Sequence, residues 1–419
     1  MKLSVLLMAA AVAAAPGSSS TTHGHGASRI ANVDVGVRPG FLVDLMPASP
    51  LKEKLAACAS LYEKKQGRLR SSDFSISHRG APLQFPEHTL AGLTAAARMG
   101  AGILECDVAF TRDLQLVCRH SQCDLHTTTN ILAVPQLAAK CSVPFRPAAG
   151  GRPATAKCCT SDITLAEFKS LCGKMDGFNP RATTAAEYMD GTPKFRTDLY
   201  ASTCGQLLSH KEYMRVVDMY GLKFTPELKA PEVPMPFMGK YSQEQYAQQL
   251  IDEYRAARIS PERVFLQSFS INDIYFWNSH DADYARQAMF LDSRPDTPEG
   301  ARQAAATMAQ LKQSGIRTLS PAFHALLRLD ANNNIVPSDY AVAAKKAGIK
   351  LTTWSLERSG PLNKVRSSGD FYYSSIAAAI KDDGDIYRVV DVLAQQVGVA
   401  GIFSDWPATV SFYANCFNL

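Results

Sequence analysis

"ILECDVAFTRDLQLVCRH", residues 103–120, is an apolar run carrying two carboxylates, then a second apolar run that ends in histidine. Glu105 and Asp107 stand two apart, so on a strand their side chains point to the same face. The surrounding GILECDV (102–108) is otherwise apolar and predicts a strand. If that strand lines a barrel, the two acids form a buried charge pair that needs a cation to neutralise it. Oxygen donors alone favour a hard divalent ion, calcium or magnesium, over zinc.

Working outward, similar runs predict strands at 74–77, 222–227, 263–269, 287–291, 316–320, 349–355 and 400–404. Helical patterns fall between most of them, at 89–99, 210–220, 241–257, 271–281, 299–313, 338–347 and 384–397. Eight strands alternating with helices predict parallel βαβ units, and the count favours a closed α/β (β/α)8 TIM barrel over an open sheet. Continuous apolar strands such as GIFS (401–404) suit burial on both faces.

Residues 121–209, between the second and third strands, break the alternation. They are rich in Thr, Pro, Gly and Cys and far longer than an ordinary barrel loop, which predicts an inserted subdomain within a domain spanning 71–419. Inside it, DITLAEFKSL (162–171) places Thr164 as N-cap and Glu167 three residues on, with Ile163 against Phe168; a short helix is expected there. Six of the ten cysteines (Cys123, Cys141, Cys158, Cys159, Cys172 and Cys204) lie in this stretch, while Cys58 and Cys416 flank the fold. No Cys-x-x-Cys pair supports zinc, so structural disulfides are expected, with a connectivity that spacing leaves open.

The first fifteen residues, MKLSVLLMAAAVAAA, have the charge order and length of a cleavable signal peptide, so residues 1–17 read as a leader and 18–70 as an extension with a helix near 50–65. Export to a secreted or periplasmic location follows, without a stable membrane anchor. In a chain of 419 residues, 46% apolar and 20% charged, the net charge of +5 is dispersed. That gives no concentrated basic face for nucleic acid.

His78 and Arg79 follow the first strand, His120 follows the second, and Glu227 and Lys229 stand in PELK (226–229) at the end of the third. On a barrel these residues gather with Glu105 and Asp107 at the C-terminal mouth. Two imidazoles, three carboxylates and two cations suit metal-assisted phosphoryl transfer. Gly80 would let the chain turn tightly at the rim.

These segments together resemble the glycerophosphodiester phosphodiesterase family. The resemblance rests on HRGAPLQFPEHTL (78–90), GAGILECDVAFTRDLQLVCRH (100–120), PELK, QSF (267–269), TTWSL (352–356) and GIFSDWP (401–407), all in the family's order. It implies His78 and His120 as acid and base, Glu105, Asp107 and Glu227 as holders of one divalent cation (Ca2+ or Mg2+), and Arg79 and Lys229 as phosphate binders. Trp354 would line the substrate cleft, with Gln267 and Phe269 as lower-ranked inward residues. The implied reaction is hydrolysis of glycerophosphodiesters to glycerol 3-phosphate and an alcohol. Two positions depart from the family pattern: His88 replaces an Asn beside the expected cap Thr89, and Ser121 replaces an Asp after the second histidine. A sphingomyelinase D-like phospholipase on the same fold, and a secreted binding protein that has lost turnover, are the rival readings.

Overall fold

The computed structural model describes residues 32–63, 68–201 and 203–419. The expected leader and the start of the extension lie outside these residues. Nine strand segments form the barrel: β1 (Ser72–Ser77), β2 (Ala101–Phe110), β3 (Lys223–Leu228), β4 (Gln267–Ser268), β5 (Met289–Phe290), β6 (Thr318–Leu319), β7 (Lys350–Leu351), β8 (Thr353–Leu356) and β9 (Ile402–Ser404). Neighbours pair in parallel in the order β7-β6-β5-β4-β3-β2-β1-β9-β8. β7 and β8 are two halves of one strand broken at Thr352, so the two ends of that order are contiguous and the ring closes as an eight-stranded α/β barrel. The first half pairs with β6 (Thr318 beside Lys350), the second with β9 (Thr353 beside Ile402).

β1 and β2 extend beyond their apolar runs, whereas β4, β5, β6 and β9 are shorter than theirs. The 263–269 run narrows to Gln267–Ser268 plus a bridge between Val264 and Phe224. Barrel strands tilt and stagger, so only part of each run stands opposite both neighbours at once. β2 is buried over its whole length, as a strand between helices and barrel interior should be. The main apolar core fills the layer between strands and helices, while Ile76, Ile103, Met289 and Phe403 cluster separately.

Helices start where a hydroxyl caps them. Thr89, Ser209, Ser242, Thr297 and Ser338 each accept a hydrogen bond from a first-turn amide, which ends the preceding loop and sets the helix entry. The expected 299–313 helix is two helices, Pro298–Ala306 and Met308–Gln313, separated at Thr307. The extension contributes helices Arg38–Leu45 and Pro50–Glu63, whose Leu42, Val43 and Leu55, with Met46 just past the first helix, join the main core.

Residues 121–209 carry short helices and two small antiparallel ladders around an apolar cluster of their own that includes Leu125, Ile131, Ile163, Phe168 and Tyr188. Thr164 and Glu167 form the expected reciprocal cap of helix Leu165–Lys169. All ten cysteines are paired: Cys123–Cys159, Cys141–Cys158 and Cys172–Cys204 within this stretch, Cys106–Cys118 at its root, and Cys58–Cys416 joining the extension to the last helix.

Candidate active site

Strand register builds the site. Asp107 on β2 stands beside Glu227 on β3, which stands beside Gln267 on β4, and Glu105 lies two residues back on the face of Asp107. One oxygen each from Glu105, Asp107 and Glu227 lies within 4.8 Å of the others, and all three acids are buried. Glu105 accepts hydrogen bonds from the Arg79 amide at 2.8 Å and from the Gln267 amide at 3.0 Å. Glu227 is paired with Lys229 Nζ at 2.6 Å.

The three acids divide in their hold on protons. Burial, then Asp107 and Glu227, push Glu105 well above the usual carboxylate range. Burial pushes Glu227 up to about 8 although Lys229 opposes it. Burial also acts to raise Asp107, but Lys229, His88 and Arg79 together hold it well below. Two acids driven toward their neutral forms beside an ionised one make a set that a cation would relieve.

His78 directly follows β1, and its amide donates to Ser404 O at 3.0 Å, anchoring the imidazole at the rim. The next residues turn sharply: φ is 56° at Arg79 and 97° at Gly80, and a Cβ on Gly80 would sit 2.9 Å from the backbone carbon of Gly92. Glycine is therefore required at that turn. The His78 ring meets Asp405 at 2.5 Å from Nδ1 to Oδ1. Burial acts to raise Asp405, but Arg358, His78 and Arg196 hold it below its ordinary value. An ionised carboxylate only accepts, so Nδ1 carries the proton and Nε2 is left bare. Burial and Arg79 lower His78 to about 4 against the pull of Asp405. Burial, Arg79 and Lys229 likewise hold His120 well below its ordinary value.

A cavity of about 320 Å3 opens among these groups. His78, Arg79, Glu105, His120, Glu227, Lys229, Gln267 and Arg358 form its polar side; Phe269, Leu291, Trp354, Tyr372 and Phe403 form its apolar side. Of the residues expected from sequence, Asp107 alone among the acids, imidazoles and cations stands behind the lining, in the acidic cluster. Trp354 donates from Nε1 to Ser320 O at 2.8 Å, which fixes its plane, and Phe269 meets its ring edge-on at 5.9 Å.

The two departures from the family pattern land differently. His88 does not cap the helix; Thr89 does, and the His88 ring donates from Nε2 to Asp107 Oδ2 at 2.8 Å. Ser121 is outside the cavity lining: its hydroxyl accepts from the Cys123 amide at 3.1 Å and its own amide donates to Asp124 at 3.3 Å.

Sequence reasoning missed Glu87, Arg196, Arg358 and Asp405. Glu87 and Asp405 are buried and shared by three arginines: Arg79 and Glu87 lie 3.1 Å apart, and Arg196 and Arg358 each reach both acids. Asp405 directly follows the last strand in FSDWP, where an acid at a strand end is the available signal; Glu87 lies in FPEHT, just before the helix cap Thr89. Nothing in the local pattern around Arg196 or Arg358 distinguishes them from surface arginines.

The class is thus a parallel α/β barrel whose C-terminal mouth holds a cavity walled by two carboxylates, three cationic side chains and two imidazoles. The model of the glycerophosphoryl diester phosphodiesterase family matches residues 78–409, and the chain belongs to that family. An extracellular protein of Arthroderma benhamiae is 96% identical over 245 residues, 58% of this chain and 100% of that one. A Mycobacterium tuberculosis protein provisionally named glycerophosphodiester phosphodiesterase 1 is 48% identical over 54 residues, 13% of this chain and 20% of its own length. The barrel is similar to the crystal structure of a candidate glycerophosphoryl diester phosphodiesterase from Silicibacter pomeroyi, with a TM-score of 0.54 and 18% identity, covering 83% of this chain and 95% of that one. Five disulfides and near-identity to an extracellular protein make this an extracellular protein as well. No helix among the described residues is long and apolar enough to cross a membrane.

Proposed function

We propose that the protein hydrolyses glycerophosphodiesters to glycerol 3-phosphate and an alcohol. The observation that carries this reading is the buried Glu105–Asp107–Glu227 cluster, its oxygens within 4.8 Å of one another, opening into a cavity that His78 and His120 both line. Those three acids would hold one divalent cation, and the driven-up Glu105 and Glu227 fit a role as oxygen ligands of calcium or magnesium. When bound, such an ion supplies positive charge for a phosphoryl oxygen.

The chain's own groups supply the rest. Arg79, Lys229 and Arg358 orient the phosphodiester, and its negative charge offsets the cationic field that adds to burial in keeping both imidazoles neutral. His78, with Nδ1–H held by Asp405, takes the proton of the attacking oxygen at Nε2. That oxygen belongs to water or to the glycerol 2-hydroxyl; its bond to phosphorus forms as the bond to the alcohol oxygen breaks. His120, free to take up a proton from solvent once the bound phosphodiester offsets the neighbouring cations, gives that proton to the departing alkoxide and returns to neutral imidazole. If the 2-hydroxyl attacks, the cyclic phosphate is opened by water with the two imidazoles exchanging roles. Trp354 and Phe269 would bound the organic part of the substrate, and residues 121–209 would act as an inserted subdomain beside the mouth.

The test is release of glycerol 3-phosphate from glycerophosphocholine by the purified protein with calcium, with magnesium and with chelator. Metal-dependent release is expected. A folded sample that releases nothing with either ion, yet frees head group from sphingomyelin vesicles, would replace this reading with the lipid-acting one.

A further inference from the structure

The segment PKFRTDLY (193–200) of the insertion lies against the loop that follows β1. The Thr197 amide donates to Leu83 O at 3.0 Å, and the Tyr200 ring stacks on Phe85 at 4.5 Å. The Phe195 ring covers Gly360, where an added Cβ would lie 2.9 Å from Cδ1. Between these anchors Arg196 is buried, with Nη1 3.3 Å from Glu87 Oε1 and Nη2 2.9 Å from Asp405 Oδ2.

We propose that Arg196 is a positioning residue: reaching in from the insertion, it locks Asp405 and through it the imidazole of His78. The division of labour among the arginines is the reason. Arg79 and Arg358 line the cavity, whereas Arg196 does not. Asp405 gives Oδ1 to His78 and Oδ2 to Arg196 and to Arg358, the last at 3.0 Å. An anionic substrate entering the cavity competes with Asp405 for Arg358. Arg196, out of substrate's reach, then remains as the cation that holds Oδ2, so the carboxylate keeps its orientation toward His78 during turnover. A guanidinium suits this task because its fork spans two carboxylates. The insertion is thereby a working part of the site, and its strap fixes a group that follows the last barrel strand, two strands round the ring from β2.

The inference rests on the hydrolase reading for its kinetic arm alone. Full-length wild type, Arg196→Gln, Arg196→Lys, Asp405→Asn and the Arg196→Gln/Asp405→Asn double variant are compared on glycerophosphocholine with metal. Arg196→Gln is expected to lower kcat on the order of 10- to 100-fold with KM changed less than about threefold, with partial recovery in Arg196→Lys. The double variant should be no slower than Asp405→Asn, because both changes disable one unit. Additive losses would overturn the proposal. Selective nitrogen-15 histidine labelling supplies an arm that needs no turnover: the low-field Nδ1–H signal of His78 should be present in wild type, weakened in Arg196→Gln and absent in Asp405→Asn. An unchanged signal in Arg196→Gln overturns the proposal whether or not the enzyme hydrolyses diesters; wild type inactive on every diester refutes the hydrolase reading alone. Should Arg196→Gln fail to fold, Arg196→Lys is read in its place, and a smaller weakening of the same signal is required.

Discussion

Neutralising Glu105 should stabilise the metal-free protein while abolishing its response to metal. The perturbation is Glu105→Gln, which keeps the shape of the side chain and removes its charge. Glu105 faces both Asp107 and Glu227 with ligand oxygens within 4.8 Å. At an effective dielectric of about 20, two like charges at that distance repel by about 3 kcal/mol. Glu105 and Glu227 relieve part of this by moving toward their neutral forms, itself a cost of folding that the substitution removes, so the expected gain in chelator at neutral pH is about 1–3 kcal/mol. The carboxamide introduced by the substitution can still accept from the Arg79 amide, and Gln267 can turn its own amide over to accept. With calcium or magnesium at about a hundredfold above its dissociation constant, wild type should gain about 2.7 kcal/mol while Glu105→Gln gains little. Denaturant unfolding of both proteins, in chelator and in each ion, reads all of these values. A variant less stable than wild type in chelator, or one that gains as much from metal, would refute the view that these acids are a strained set held for a cation.

His78→Ala and His120→Ala should each lower turnover at least about 100-fold, measured by glycerol 3-phosphate release; near wild-type rates in both would remove them from the mechanism. Burial raises Asp124 to about 7 from an ordinary 3.8, so the folded state holds a proton that the unfolded chain has already released, and stability falls as pH rises between about 4 and 7. Asp124→Asn lacks that loss, and its melting temperature should exceed wild type by more at pH 8 than at pH 5; an equal difference at the two values would contradict the sign. Opening Cys58–Cys416 with the double serine variant releases a loop spanning 358 residues, for which chain entropy sets a destabilisation of up to about 6 kcal/mol, read from denaturant midpoints. A change within error would mean that the packing of Leu42, Met46 and Leu55 holds the extension by itself.

Much of the fold was legible because its signals are local. All eight strand regions and the helices between them follow from apolar period and flanking hydroxyls, as Ser209 with Glu212 and Ser242 with Gln245 illustrate. Ladder lengths were not legible, since they depend on stagger around the ring. The break of one barrel strand at Thr352 belongs to the same class, because the two halves serve different neighbours. His88 reads in the sequence as a replacement near a helix start, and its bond to Asp107 spans a separation of 19 residues that no spacing rule reports.

The chain by itself determined which residue types stand at strand ends and which way they face: Glu105 and Asp107 share a face because strand side chains alternate, a property of the backbone alone. It likewise determined that Gly80 follows the first histidine, where a Cβ would meet Gly92. Tertiary structure alone decided which of these groups meet. His78 finds Asp405 across 327 residues, and Arg196 reaches Asp405 across 209. The five disulfides were paired at the same level. The reason is that local periodicity specifies direction along one element, whereas these contacts arise from ring closure, lateral register and the shared burial of charges that must neutralise one another once water is gone.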